Sequence, residues 1–131
     1  MKILRRKRAT PPPASAAVPP LDVDVSGTAY GAVVAIAGDI DIATVAQVRE
    51  AFASEALAHV DAIVVDLTGV AFMDSTGLSA LVTFQTDLDA RRRRLAIACP
   101  EGAARLVLDV AGVAERLSLY PTRADAEAAV S

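Results

Sequence analysis

Leu21, Val23 and Val25 alternate with Asp22, Asp24 and Ser26. That period of two predicts a half-exposed strand. Gly27 to Gly31 makes a turn, and Ala32 to Ala37 is almost wholly apolar, as a central strand should be. The period then lengthens. Val45, Val48, Phe52 and Leu57 fall on one side of a helix, with Arg49, Glu50 and Glu55 mostly elsewhere. Asp41 or Thr44 can cap it, since either side chain can accept a hydrogen bond from an unpaired N–H. Ile63 to Leu67 reads as another buried strand. A second helix starts near Ser75 and carries Leu78, Leu81, Val82 and Leu88 at helical spacing. It ends in Arg91-Arg92-Arg93-Arg94, where cations suit the helix dipole and are expected to face water. Leu95 to Cys99 is a strand stopped by Pro100. A helix from about Gly102 is expected to turn Leu106, Val107 and Val110 inward and to end near Gly112. Leu117 to Tyr120 reads as a short strand and Arg123 to Ala129 as a helix.

Strand, helix, strand, helix, strand, helix behind a first hairpin implies an α/β fold. It has a mixed, mostly parallel sheet of four to five strands, an antiparallel N-terminal hairpin and about four helices. In such sheets the loops beyond the carboxyl ends of the parallel strands collect at one edge, where sites form. Gly38–Asp41 and Asp74–Gly77 both follow strands of this kind, so they are expected to be neighbours.

The length of 131 residues suits one domain. Residues 1–20 hold Lys2, Arg5, Arg6, Lys7 and Arg8, no acid, and then a run rich in Ala, Ser and Pro. They read as a disordered arm ahead of a domain spanning 21–131. The arm is either a solvated tail or a patch for acidic lipid or nucleic acid. The domain itself sets eight Arg against sixteen Asp and Glu, a net −8. An acidic surface prefers a basic partner and argues against direct binding of nucleic acid. The single cysteine, Cys99, cannot pair within the chain, which fits a reducing cytosol. The basic N-terminus runs into Pro11-Pro12-Pro13 rather than a long apolar stretch, unlike a secretion signal. No apolar run is long enough to span a membrane. The expected location is cytoplasmic.

Catalytic chemistry finds little support. His59 is the only histidine and lies far in sequence from any candidate nucleophile. Ser75 therefore lacks an evident general base. One Cys and one His offer no zinc-ligand spacing. Asp39 and Asp41 can cap a helix or face water as readily as hold a hard cation. No catalytic residue, metal site or cofactor is expected, and the chain reads as a binding protein rather than an enzyme.

The stretch Phe72-Met73-Asp74-Ser75-Thr76-Gly77-Leu78 puts an acid, two hydroxyls and a glycine where a strand hands over to a helix. A helix start presents unpaired N–H groups and partial positive charge, so it tolerates an anion. A hydroxyl there can be phosphorylated without disrupting the fold. The same residues also make an ordinary cap, with Asp74 or Ser75 in that role. Met73 and Leu78 serve equally well as contact or core residues.

Asp-Ser-Thr-Gly-Leu after an apolar strand resembles the signature of the STAS domain, in particular the bacterial anti-sigma factor antagonists. Gly38-Asp39-Ile40-Asp41 after Val33-Val34-Ala35-Ile36 is similar to that family's Gly-Glu-Leu-Asp. The resemblance covers about Leu21 to Ala129 and departs at Ser79, where the family usually has Gly. It implies that Ser75 is a phosphate acceptor, with Thr76 the alternative, and that Asp39, Asp41, Asp74, Thr76 and Gly77 meet a partner. The implied partner is an anti-sigma factor that is also an ATP-dependent serine kinase, the ATP belonging to the kinase. Unmodified protein would bind it and free a sigma factor in stress or sporulation signalling. A serine phosphatase would reset the switch. The alternative is an unphosphorylated STAS docking module or accessory subunit of a lipid or anion transporter. Monomer and weak dimer both stay open.

Overall fold

The computed structural model describes the backbone of residues 2–5 and all of residues 21–131. Its elements are β1 (Lys2–Arg5), β2 (Asp22–Gly27), β3 (Ala32–Ile40), α1 (Val45–Phe52), β4 (Ala62–Met73), α2 (Ser75–Ala90), β5 (Arg94–Ala98), α3 (Ala103–Val110), β6 (Leu119–Tyr120) and α4 (Arg123–Val130). The strands lie in the order β1-β2-β3-β4-β5-β6. β1 and β2 pair antiparallel, as do β2 and β3; every later pair is parallel. From Asp22 onward this is the expected five-stranded mixed sheet with its first hairpin and four helices.

The strand at Lys2–Arg5 adds a sixth member at the edge, within the region expected to be a disordered arm. The remainder of that expectation, at residues 1 and 6–20, lies outside the described residues.

The two faces of the sheet are covered unequally. Val23, Val25, Val34, Ile36, Ile63, Val65, Leu95 and Ile97 face α1, α2 and α3 in the larger core. Val33, Ala62, Val64, Ala96 and Ala98 face Ala126 and Val130 of α4. Small side chains on that second face let a short helix lie close. Each large aliphatic chain buried on the first face contributes about 1.5–3 kcal/mol.

Three local expectations are corrected. The first helix stops at Phe52, and Leu57 is buried from a separate 3-10 turn, Glu55–Leu57. The Ser54 hydroxyl donates to the Ala51 carbonyl at 2.8 Å and helps close the end of α1. In α3 the buried residues are Ala104 and Leu108, while Leu106 and Val110 are 61% and 79% exposed. This helix is apolar on more than one side, so periodicity alone could not choose its inner face. The arginine run is also not uniformly solvated. Arg93 is half-buried; its Nε donates to the Val60 carbonyl at 2.7 Å, and its guanidinium also reaches the Leu57 carbonyl.

The middle of the sheet projects beyond its flanks. β2 pairs with β3 only as far as Ala37, and β5 pairs with β4 only as far as Asp66. Past those points β3 and β4 continue as a two-stranded parallel ribbon, pairing Gly38 with Val70, Asp39 with Phe72 and Ile40 with Met73. That ribbon places the site.

Candidate functional site

The two sequence motifs meet at the end of this ribbon. Ile40 and Met73 are partners, and the Asp74 N–H donates to the Ile40 carbonyl at 3.0 Å. Gly38 has φ +114, a backbone conformation that side-chain-bearing residues rarely adopt. The pairing register shifts between Gly38 and Asp39. Glycine thus permits the kink that leads into the Asp39–Asp41 loop.

Asp74 caps α2. One carboxylate oxygen accepts from the Thr76 N–H at 2.8 Å, the Gly77 N–H at 3.4 Å and the Thr76 hydroxyl at 2.5 Å. The Thr76 hydroxyl, and then the N–H groups of Thr76, Gly77 and Ile42, hold this carboxyl below its ordinary pKa, outweighing the opposing effect of partial burial. The Asp74 N–H, bonded to the Ile40 carbonyl, ties the two motifs together.

Ser75 follows at the first helical position and is exposed. Its hydroxyl has no hydrogen-bond partner among the described residues. Two adjacent hydroxyls are therefore unlike: that of Thr76 is committed to Asp74, and that of Ser75 is bare.

Asp41 does comparable work on the other loop. Its carboxylate accepts from the N–H groups of Ala43 at 2.9 Å and Thr44 at 3.1 Å. The buried Thr44 hydroxyl donates to the Asp39 carbonyl at 2.8 Å and accepts from the Asp41 N–H at 3.0 Å. Thr44 stands at the N-cap of α1 but makes no side-chain cap bond, and Asp41 closes the turn ahead of the helix instead. Asp39 is half-buried at the paired end of β3.

Gly77 is buried, not presented outward. A Cβ there would lie 2.6 Å from Met73 Cγ and 2.7 Å from Ile40 Cγ2. Its smallness lets the first turn of α2 sit down on the ribbon. Met73 is fully buried and Leu78 packs partly buried against the larger core, so both belong to the core.

Sequence reasoning missed two apolar residues. Ile42, in the loop after β3, is 80% exposed, and Phe72, near the end of β4, is 46% exposed. Alternation along β4 could have flagged Phe72: if Met73 points inward, its neighbour points out.

No group of three or more His, Cys, Asp or Glu side chains could hold a metal among the described residues. His59 is exposed at the far end of the α1 segment. Cys99 is buried, and desolvation pushes its thiol pKa up, away from the reactive thiolate. No helix among the described residues is long and apolar enough to cross a membrane.

Solved structures share this architecture. An anti-sigma factor antagonist from Mycobacterium paratuberculosis superposes with a TM-score of 0.80 at 27% identity, covering 86% of this chain and 97% of the other. The anti-sigma factor antagonist SpoIIAA in its unphosphorylated form gives 0.65 at 23% identity, covering 82% of this chain and 95% of that one. The phosphorylated form of SpoIIAA, a Bacillus cell fate determinant, gives 0.61 at 20% identity over 83% of this chain and 99% of that one. No curated protein matches the chain. A family model described as the STAS domain matches residues 21–126, which include β2 to β6, both site loops and the start of α4. The chain belongs to the STAS-domain family.

Proposed function

We propose that this protein is an anti-sigma factor antagonist switched by phosphorylation of Ser75. Unmodified, it binds an anti-sigma factor that is also an ATP-dependent serine kinase, and a sigma factor is released. Transfer of phosphate from the kinase's ATP to the Ser75 hydroxyl ends the binding, and a serine phosphatase restores it. The protein acts by binding and catalyses nothing itself.

The observation that carries this reading is the bare, exposed Ser75 hydroxyl beside a Thr76 hydroxyl already bonded to Asp74. A kinase must reach an oxygen that no neighbour holds. The helix start adds to the effect of modification. Its Thr76 and Gly77 N–H groups are already engaged by Asp74, so they are not open to a phosphate. A phosphoserine would add about −1.5 to −2 charges. That charge would stand next to Asp74 and near the Asp39–Asp41 loop, poorly neutralised and directed outward. A partner packed on this edge would have to bury it. Losing a well-placed contact and burying an unpaired charge costs about 2–5 kcal/mol, or some 30- to several-thousand-fold in affinity.

Partner recognition is assigned to Asp39, Asp41, Asp74 and Thr76, flanked by Ile42 and Phe72. Gly77 serves it indirectly by seating the helix.

The test is the intact mass of protein from its native cells, with and without phosphatase treatment. A phosphate-sized adduct on the Ser75 peptide that is lost in Ser75→Ala supports the switch. Consistent absence of the adduct under several stresses overturns it and favours a docking module that is never phosphorylated.

A further inference from the structure

Beyond the Ser75 edge, α1 and α2 leave a groove of about 290 Å³ between them. Phe52 and Phe84, stacked with ring centroids 4.0 Å apart and planes within 5°, contribute to its lining. Ala53 and Ala80 keep it open by being small. Both helices begin at the ribbon end that carries the switch, so the groove leads away from it. Along α2 the exposed residues Ser75, Ser79 and Thr83 recur every four positions and form one outward stripe. Thr83 lies on the groove, so the surface runs unbroken from the phosphate acceptor into it.

The charge at the groove is unlike that of the edge. Arg49 lines it, and its guanidinium has no ion pair or hydrogen bond among the described residues. Asp87, the one acid lining it, is paired with Arg91 at 3.1 Å. A locally cationic, apolar groove therefore continues from an acidic edge on a domain whose net charge is strongly negative.

We infer that this groove receives an amphipathic helix of the same anti-sigma factor kinase, one apolar side chain entering between α1 and α2 and an Asp or Glu beside it pairing with Arg49. The inference rests on the proposed function of the Ser75 edge and gives the partner its second contact. Small residues on facing helices admit a third helix ridge between them. An unpaired guanidinium on an apolar rim selects a carboxylate. The groove contact does not itself involve Ser75, and charge added at the edge ends the binding as a whole.

The probe is the purified anti-sigma factor kinase, identified first by capture on Ser75→Ala protein, and the measurement is its affinity by calorimetry. Thr83→Arg puts bulk and charge into the groove and should weaken binding about 30-fold or more. Arg49→Glu should weaken it about tenfold, and more steeply at low salt. Ala128→Arg, on the exposed face of α4, should bind like the parent. All three positions are exposed, and thermal unfolding should match the parent. In the complex, the ring-proton resonances of Phe52 and Phe84 should shift. If the parent binds while Thr83→Arg and Arg49→Glu bind equally well and the ring resonances stay put, the groove is overturned and the Ser75 switch stands. If the parent binds no such kinase, both fall. If Thr83→Arg instead abolishes self-association of the isolated domain and leaves kinase binding untouched, the occupant is a second copy and the inference is wrong.

Discussion

The Thr76 hydroxyl donates to the Asp74 carboxylate at 2.5 Å, while the hydroxyl of Ser75 between them has no partner among the described residues. One hydrogen bond thus separates two side chains of nearly the same chemistry into a committed group and a free one. Thr76→Val should retain phosphorylation at Ser75 in a kinase assay, lose about 0.5–1.5 kcal/mol of stability, and let the Asp74 carboxyl titrate closer to its ordinary value in an NMR titration. Ser75→Ala should take up no phosphate and unfold at the parent's temperature. Phosphate on Thr76 in the Ser75→Ala protein would contradict this division.

Asp74 should also leave a signature in acid. Its folded pKa lies below the ordinary 3.8. A depressed carboxyl contributes stability that is fully present above the unfolded value and is lost as pH falls through the folded one. Denaturant unfolding of the parent should therefore weaken below about pH 4 more than that of Asp74→Asn, which has no such proton to take up. At neutral pH, Asp74→Ala should cost about 0.5–2 kcal/mol through loss of the cap. Parallel pH profiles for parent and Asp74→Asn would show that the acid is not coupled to folding.

Gly77→Ala tests the seating of α2. The added methyl would meet Met73 and Ile40 well inside contact distance. Overpacking of this kind costs about 1–3 kcal/mol, which should lower the thermal midpoint by about 4 °C per kcal/mol in a domain of this size. Partner affinity should fall with it, because the ribbon end and the first turn of α2 move together. An unchanged midpoint would mean that this turn has more room than the distances indicate.

Ile42→Ser and Phe72→Ser should separate binding from folding. Ile42 is largely in water and Phe72 about half exposed, so stability should change by less than about 0.5 kcal/mol for Ile42→Ser and only modestly for Phe72→Ser. Affinity for the kinase should drop about tenfold in each, as expected when an apolar contact beside a central site is removed. Calorimetry and thermal unfolding on the same samples decide it.

Arg93→Ala should be more destabilising than Arg91→Ala. Arg93 ties the start of β5 to the Leu57 and Val60 carbonyls, whereas Arg91 pairs with Asp87 in water. The first loss leaves partly buried carbonyls unpaired, at about 1–3 kcal/mol; an exposed i,i+4 pair contributes about 0.3–0.5 kcal/mol. Chemical denaturation of the two variants should rank them in that order.

Much of this architecture is written in local order. Alternation at Leu21–Ser26 and helical spacing from Ser75 to Leu88 identify elements the structure contains, because each is set by which side of a strand or helix meets the core. The parallel topology followed from their succession, and with it the meeting of Gly38–Asp41 and Asp74–Gly77. Residues whose surroundings come from distant segments were less legible. The inner face of α3 depends on how that helix is rotated against the sheet. The docking of Arg93 depends on where the chain at Leu57–Val60 passes. Gly77 looks like an open position in sequence and is enclosed only because Ile40 and Met73 are paired beneath it.

The amino-acid sequence alone determined that a strand delivers an acid, two hydroxyls and a glycine to the start of a helix, since that depends only on periodicity and on what caps a helix. Which hydroxyl stays free was decided by the tertiary structure. The long ribbon of β3 and β4 fixes the Asp74 backbone against Ile40, turns its carboxylate onto Thr76, and leaves Ser75 facing water. A hydrogen bond is directional, and its direction is set by packing that no single stretch of chain contains.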